Sequence, residues 1–287
     1  MKKEISPIAF MVIFVVILTV GVVTIKETAR NAEALDLEIL NSSSSILADK
    51  NSNQTLLGPI TALTATSNNQ SWLEFDGIND VVDGDNNPLG SNIIYNATMS
   101  IWINLAGYTG KDIGLMGVMG TTGDNTTLII LIDENPTNGK HKVLVSLGNG
   151  TKRSYFGDHY ITDTNESLNN WVHYVGRFND GNISIFENGV LNYTTGTATD
   201  YPFVDLTGAT FSISDFGHSG SGGLFGGADE ARLYNRSLTD AEILEIYNSG
   251  RSANSSLPSD DLVLWYSFDA GTGAVAYDKS GNGNNGQ

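Results

Sequence analysis

The chain has no cysteine, so any chemistry it performs rests on carboxylates, amides, hydroxyls and its four histidines. A nucleophile elbow, Gly-x-Ser-x-Gly, is approached only at Gly217-His218-Ser219-Gly220-Ser221, where Ser221 stands in the last Gly position and the context is a glycine-rich loop. His141, His159, His173 and His218 are dispersed, and His173 sits in a Trp-Val-His strand pattern, which reads as structural. Asp229 and Glu230 are adjacent, and in a regular strand neighbours point to opposite faces, so they do not read as an acid–base pair. Hard cations need several oxygen ligands. Asp49-x-Asn51-x-Asn53 supplies three at alternate positions in one loop, with Asp229 able to approach from a closing strand. A turn rich in Asx hydrogen bonds fits the same residues. Asp76, Asp80, Asp83 and Asp85 read as a solvated acidic turn.

Aromatic side chains in loops are the other chemically useful group, since the apolar face of a sugar stacks on them. Tyr108, Tyr155, Phe156, Tyr160 and Tyr201 lie in loop-like contexts, each also explicable by packing. Asn-x-Ser/Thr occurs eleven times, and Asn96, Asn149, Asn165, Asn192 and Asn235 are the expected glycosylation positions. The net charge of −17, with 15 scattered basic residues, argues against nucleic acid as a partner.

The elements that must hold these groups are mostly strands. Gly is abundant at 32 residues and long charged helical runs are absent, which favours an all-β chain with many turns. Strand patterns run over Trp72–Gly77, Met99–Asn104, Val118–Met119, Leu128–Ile132, Val143–Leu147, Trp171–Phe178, Ile183–Glu187 and Phe211–Ser214. Asn188-Gly189 is a two-residue hairpin turn, because both residues tolerate positive φ. Ala231-Arg232-Leu233-Tyr234 alternates as a half-buried strand does. Thr239-Asp240-Ala241-Glu242 then fits a capping box, Ile243, Leu244, Ile246 and Tyr247 give a helix its apolar face, and Gly250 is placed to end it.

The block Asp-Glu-Ala-Arg-Leu-Tyr-Asn-Arg-Ser-Leu (229–238), followed by the Thr-Asp-Ala-Glu-Ile helix and Asn-Ser-Gly, resembles the end of a laminin-G-like or pentraxin-like domain. Phe75-Asp76-Gly77-Ile78-Asn79-Asp80-Val81-Val82 and Met99–Asn104 resemble its inner strands. The resemblance implies a two-sheet antiparallel jelly-roll sandwich of the concanavalin A type over 35–250, with glycans or surface proteins as partners. It also implies a calcium site at Asp124, beside Asn125, and Asp215, with the family's remaining acids replaced by Phe216, Gly217 and His218. Glycosidases of this fold use closely spaced acids on one strand, and no such pair is present, so the expected domain is non-enzymatic.

An internal repeat adds to this. Leu264, Tyr266, Phe268 and Asp278-Lys279-Ser280-Gly281-Asn282 match Leu35, Leu37, Ile39 and Asp49-Lys50-Asn51-Ser52-Asn53. Residues 261–287 therefore resemble the opening strand of a second, incomplete laminin-G-like repeat after a linker at 251–260. Alternatively they pair at the first domain's edge or with a second copy, giving homotypic assembly.

Ile8 to Ile25 is 18 residues without a charge, long enough for one spanning helix, so 1–34 reads as an N-terminal membrane anchor with the β-domain outside the cell. A cleaved signal peptide is the alternative. Lys2-Lys3-Glu4-Ile5-Ser6-Pro7-Ile8 also resembles the head of archaeal type IV pilin-like proteins, which would make the chain a filament subunit. The leading expectation is a membrane-anchored recognition or adhesion protein.

Overall fold

A computed structural model describes residues 13–17, 23–27 and 71–287, apart from 85, 121–126, 138–139, 161–167, 196–200, 215–220, 252–256 and 271–272. Two compact units result, 1–69 and 70–287. In the first, β1 (Ile13–Ile17) and β2 (Val23–Glu27) pair antiparallel. This corrects the expectation of a single helix over Ile8–Ile25. The physical reason lies in the residue types: Val, Ile and Thr dominate both segments, and β-branched side chains favour strands. Among the described residues no helix is long and apolar enough to cross a membrane.

The second unit is an all-β sandwich. In chain order its strands are β3 (Leu73–Asp76), β4 (Val81–Asp83), β5 (Ile93–Ile94), β6 (Asn96–Leu105), β7 (Asp112–Gly120), β8 (Thr127–Thr137) and β9 (Lys140–Gly148). Then come β10 (Arg153–Tyr160), β11 (Trp171–Asn179), β12 (Asn182–Glu187), β13 (Val190–Thr194), β14 (Val204–Asp205), β15 (Ala209–Ser214), β16 (Ser221–Gly222) and β17 (Phe225–Tyr234). Helix α1 (Asp240–Asn248) and β18 (Leu262–Tyr266) follow. One sheet runs β10-β9-β8-β7-β15-β4 and the other β13-β12-β11-β6-β17-β18, with β3 also on β17. Alternate residues of each strand, such as Leu128, Ile130 and Ile132 of β8 and Met99, Ile101 and Ile103 of β6, enter the shared core.

The local signals act as expected. Asn188 and Gly189 take φ 52° and 76°, the mirror-image turn that suits a two-residue hairpin between β12 and β13. Thr239 caps α1: its Oγ1 accepts from the Glu242 amide, and Glu242 reaches back to the Thr239 N–H at 2.7 Å. Arg236 holds the same carboxylate, and this pairing keeps Glu242 ionised down to a pKa of about 2. Gly250 follows at φ 67°. The helix packs Ile243 and Ile246 onto Val175, Phe186 and Tyr234, covering the outer face of the second sheet. That explains one departure from the sequence pattern. Residues 231–234 are buried throughout, because Ala231 and Leu233 enter the main core while Tyr234 lies under the helix.

The C-terminal segment is the larger correction. Residues 261–287 do not open a second unit. β18 pairs antiparallel with β17, from Ala231 against Tyr266 to Tyr234 against Leu262. Leu264 and Tyr266 are fully buried in the main core. The chain then folds back: Gly286 pairs with Ala276, and Gln287 exchanges two 2.9 Å backbone hydrogen bonds with Asp83 at the end of β4. One segment thus edges both sheets. The repeat reads as an opening strand because it carries the pattern that fits this slot, and only long-range pairing decides which domain supplies the slot. Arg251 and Leu257, within the expected linker, are likewise packed against the domain.

If 262–287 belongs to this core, Leu264→Ala should cost about 2–5 kcal/mol of unfolding free energy, as for other buried leucines. Urea titration followed by tryptophan fluorescence measures it. A change below about 0.5 kcal/mol, the range of surface substitutions, would place the segment outside the core.

Candidate functional site

The two adjacent acids behave differently from regular strand neighbours. The pairing of β17 with β6 skips from Asp229 opposite Trp102 to Arg232 opposite Ser100, so β17 carries one extra residue. Glu230 takes φ 51° there. This bulge turns both carboxylates into the protein, and both are 0% exposed. Asp229 accepts from the Glu230 amide at 2.8 Å and pairs with Arg251 at 3.0 Å. The Arg251 guanidinium lies 3.9 Å over the Trp171 ring and 5.6 Å from that of Trp72. Glu230 pairs with Arg232 and accepts from the Trp265 indole N–H at 3.0 Å. Arg232 in turn stacks 4.8 Å over the same indole.

Burial dominates this cluster. It pushes Asp229 up to about 8, against the downward pull of Arg251, and it raises Glu230 against Arg232. Arg251 is lowered by the same loss of solvent. Shifted carboxylates often mark catalytic sites. Here each is sealed from solvent and held by a guanidinium, so the cluster fastens strands together. His173 is equally internal. Its Nε2 shares a 2.8 Å hydrogen bond with Ser100, and burial depresses its pKa to about 3, keeping the ring neutral.

Asp229 does not fit the calcium set expected with Asp49, Asn51 and Asn53. Its oxygens are engaged by an amide and by Arg251, whose charge would repel a cation. Asp49, Asn51, Asn53, Asp124 and Asp215 lie outside the described residues, as does Asn165. Of the other glycosylation positions, Asn192 and Asn235 are exposed, whereas Asn96 and Asn149 are half-buried. Among the candidate aromatics, Tyr108 stacks on His141 at 3.7 Å, and Tyr201 is buried with its hydroxyl 2.6 Å from Ser154. Phe156 meets Tyr201 edge-on, and Tyr155 is half exposed with Arg153 over its ring.

The sequence reading passed over an open cleft beside the C-terminal loop. Its volume is about 410 Å³, with Tyr266 and Val275 among its apolar walls and Asn86, Tyr277, Asn284, Asn285 and Gln287 as its polar ones. Among the described residues no charged side chain lines it. Tyr277 is 63% exposed. The loop is held by Asp278, whose carboxylate accepts from the amides of Trp265, Ser280 and Asn284, each at 2.9 Å. The Tyr266 hydroxyl donates to the Asn284 carbonyl at 2.6 Å. The one available sequence signal was the loop Val275-Ala276-Tyr277-Asp278, whose tyrosine has no apolar neighbour two residues on.

The acid cluster has a measurable pH signature. Between the ordinary carboxylate value of 3.8 and about 8, folded Asp229 retains a proton that the unfolded chain releases. Its contribution to stability therefore falls as pH rises through that window. Arg251→Ala should cost more at pH 9.5 than at pH 6, by at most about 2 kcal/mol, because only above about 8 does folded Asp229 carry a charge for the guanidinium to stabilise. Urea unfolding at both pH values checks this, and equal losses would refute the assignment.

The comparisons with known proteins agree with this fold. A laminin-G-type family model, described as the concanavalin A-like lectin/glucanases superfamily, matches residues 76–244, more than half of the chain. No curated protein matches the chain by sequence. Among solved structures, the heptameric SAP-like pentraxin of Limulus polyphemus is 15% identical at a TM-score of 0.50, covering 67% of this chain and 86% of that one. A protein inferred to bind carbohydrate, from Bacteroides ovatus, is 17% identical at a TM-score of 0.53, covering 74% of this chain and 56% of that one. These likenesses concern the fold. The jelly-roll sandwich and the extent of the family match together place the chain in the concanavalin A-like lectin/glucanases superfamily.

Proposed function

We propose that the chain is a non-catalytic glycan-recognition domain displayed at the cell envelope. The observation that carries this reading is the cleft: open to solvent, walled by amides and a tyrosine, and built on a loop pinned by its own hydrogen bonds. Side chains of that kind recognise hydroxyl-rich ligands without doing chemistry on them. Membership of a lectin-containing superfamily and the fold shared with the Bacteroides protein support the same reading. The envelope location rests on the uncharged run Ile8–Ile25, which we propose as the membrane-contacting segment, and on the eleven glycosylation sequences.

Two measurements test this. The full chain, applied to a glycan array with calcium and with chelator, should bind at least one glycan class. The calcium arm addresses Asp49, Asn51 and Asn53. Failure to bind any glycan under both conditions would overturn the recognition reading. In the producing cells the chain should sediment with membranes, and recovery in the soluble fraction would overturn the membrane contact.

A further inference from the structure

We infer that the cleft beside the C-terminal loop takes an uncharged sugar ring, stacked on Tyr277 and hydrogen-bonded by the amides of Asn86, Asn285 and Gln287. This deepens the glycan-recognition reading and rests on it. Size is the first argument. At about 410 Å³ the cleft falls within the range of about 300–1,000 Å³ typical of small-ligand sites.

Charge is the second argument. Among the described residues none of the lining side chains is ionic, so they offer no guanidinium or ammonium to pair with a carboxylate or sulfate. The chain carries a net charge of −17, and its long-range field opposes an approaching anion. Uncharged hexoses and N-acetylhexosamines meet neither obstacle. Sialic acids and uronic acids meet both.

The third argument is the free hydrogen-bonding and stacking capacity. Among the described residues, the Tyr277 ring has no aromatic or cationic partner, and its hydroxyl and the side-chain amides of Asn86 and Gln287 make no hydrogen bond. Asn285 uses only its Oδ1, accepting from the Asp278 amide at 2.9 Å, which leaves its NH₂ for a ligand. Asn86, Tyr277, Asn285 and Gln287 are all exposed to solvent. A planar phenol beside amide groups matches a pyranose, which has an apolar face and a rim of hydroxyls.

Rigidity is the fourth. Asp278, next to Tyr277, is fixed by its acceptor bonds to the loop and to β18, and Asn284 Nδ2 donates to the Val263 carbonyl at 2.7 Å. A loop backbone held in place in the free protein loses little further freedom on binding.

The test uses the full chain against immobilised neutral glycans ending in glucose, galactose, mannose or N-acetylglucosamine, and against sialylated and uronate-containing ones. Tyr277→Ala should weaken neutral-glycan binding about tenfold or more, while Tyr277→Phe stays within about threefold. Tyr95→Ala, an exposed tyrosine between β5 and β6 that does not line the cleft, should leave binding unchanged. Should Tyr277→Ala lower the thermal unfolding midpoint, Asn86→Ala, which alters only an exposed amide, serves as the second variant and should also weaken binding. Wild-type protein that binds no glycan at all would defeat the functional reading itself. Wild-type binding that survives Tyr277→Ala and Asn86→Ala, or that favours acidic glycans, would overturn only this assignment of cleft and ligand.

Discussion

A single extra residue in β17 governs how this sandwich is put together. Without it, Asp229 and Glu230 would face opposite sides of the second sheet. With it, both carboxyl groups are interior, and each lies against a guanidinium that offsets part of the cost of its burial. The outer edge of β17 is shared: β3 runs beside Phe225–Ala228 and β18 beside Ala231–Tyr234. The bulge lies at the seam between them. Arg251, arriving after α1, pairs with Asp229 and covers Trp171, and Arg232 and the Trp265 indole both engage Oε2 of Glu230. The acids are therefore the point where the helix, the closing strand and the C-terminal segment meet.

The cleft follows from that seam. Once Trp265 is fixed to Glu230, β18 is in register, and the loop after it can cross from one sheet to the other. Asp278 binds the Trp265 amide on one side, and Gln287 pairs with Asp83 at the end of β4 on the other. A segment so anchored at both ends has its backbone set in place. Buried ion pairs seldom add net stability over well-packed apolar residues. Here their effect is selective, since a slipped register of β18 would strand Glu230 without its indole donor.

Much of the fold was legible because its signals are local. Asn188-Gly189 has one favourable turn geometry, Thr239 and Glu242 satisfy each other across three residues, and the alternation in β6, β8 and β11 marks two-sided strands. What escaped the sequence is long-range or context-dependent. The bulge has no glycine or proline to announce it, and the period of two assigns Asp229 and Glu230 to opposite faces. The likeness between 35–53 and 264–282 identifies a pattern suited to the edge of β17, yet it says nothing about which edge takes it. The apolar run near the N-terminus satisfies helix and strand patterns alike, and its β-branched residues favour strands in β1 and β2. Tyr277 was missed because exposure is a property of the folded loop.

The central claim is that the C-terminal strand and the bulged strand form one cooperative unit. Native-state hydrogen exchange on the full chain reads this directly. The amides of Leu262–Tyr266 should open with the same free energy as those of Met99–Ile103 and Ala231–Tyr234. Exchange of Leu262–Tyr266 at the rate of an unstructured peptide, with β6 and β17 still protected, would contradict it.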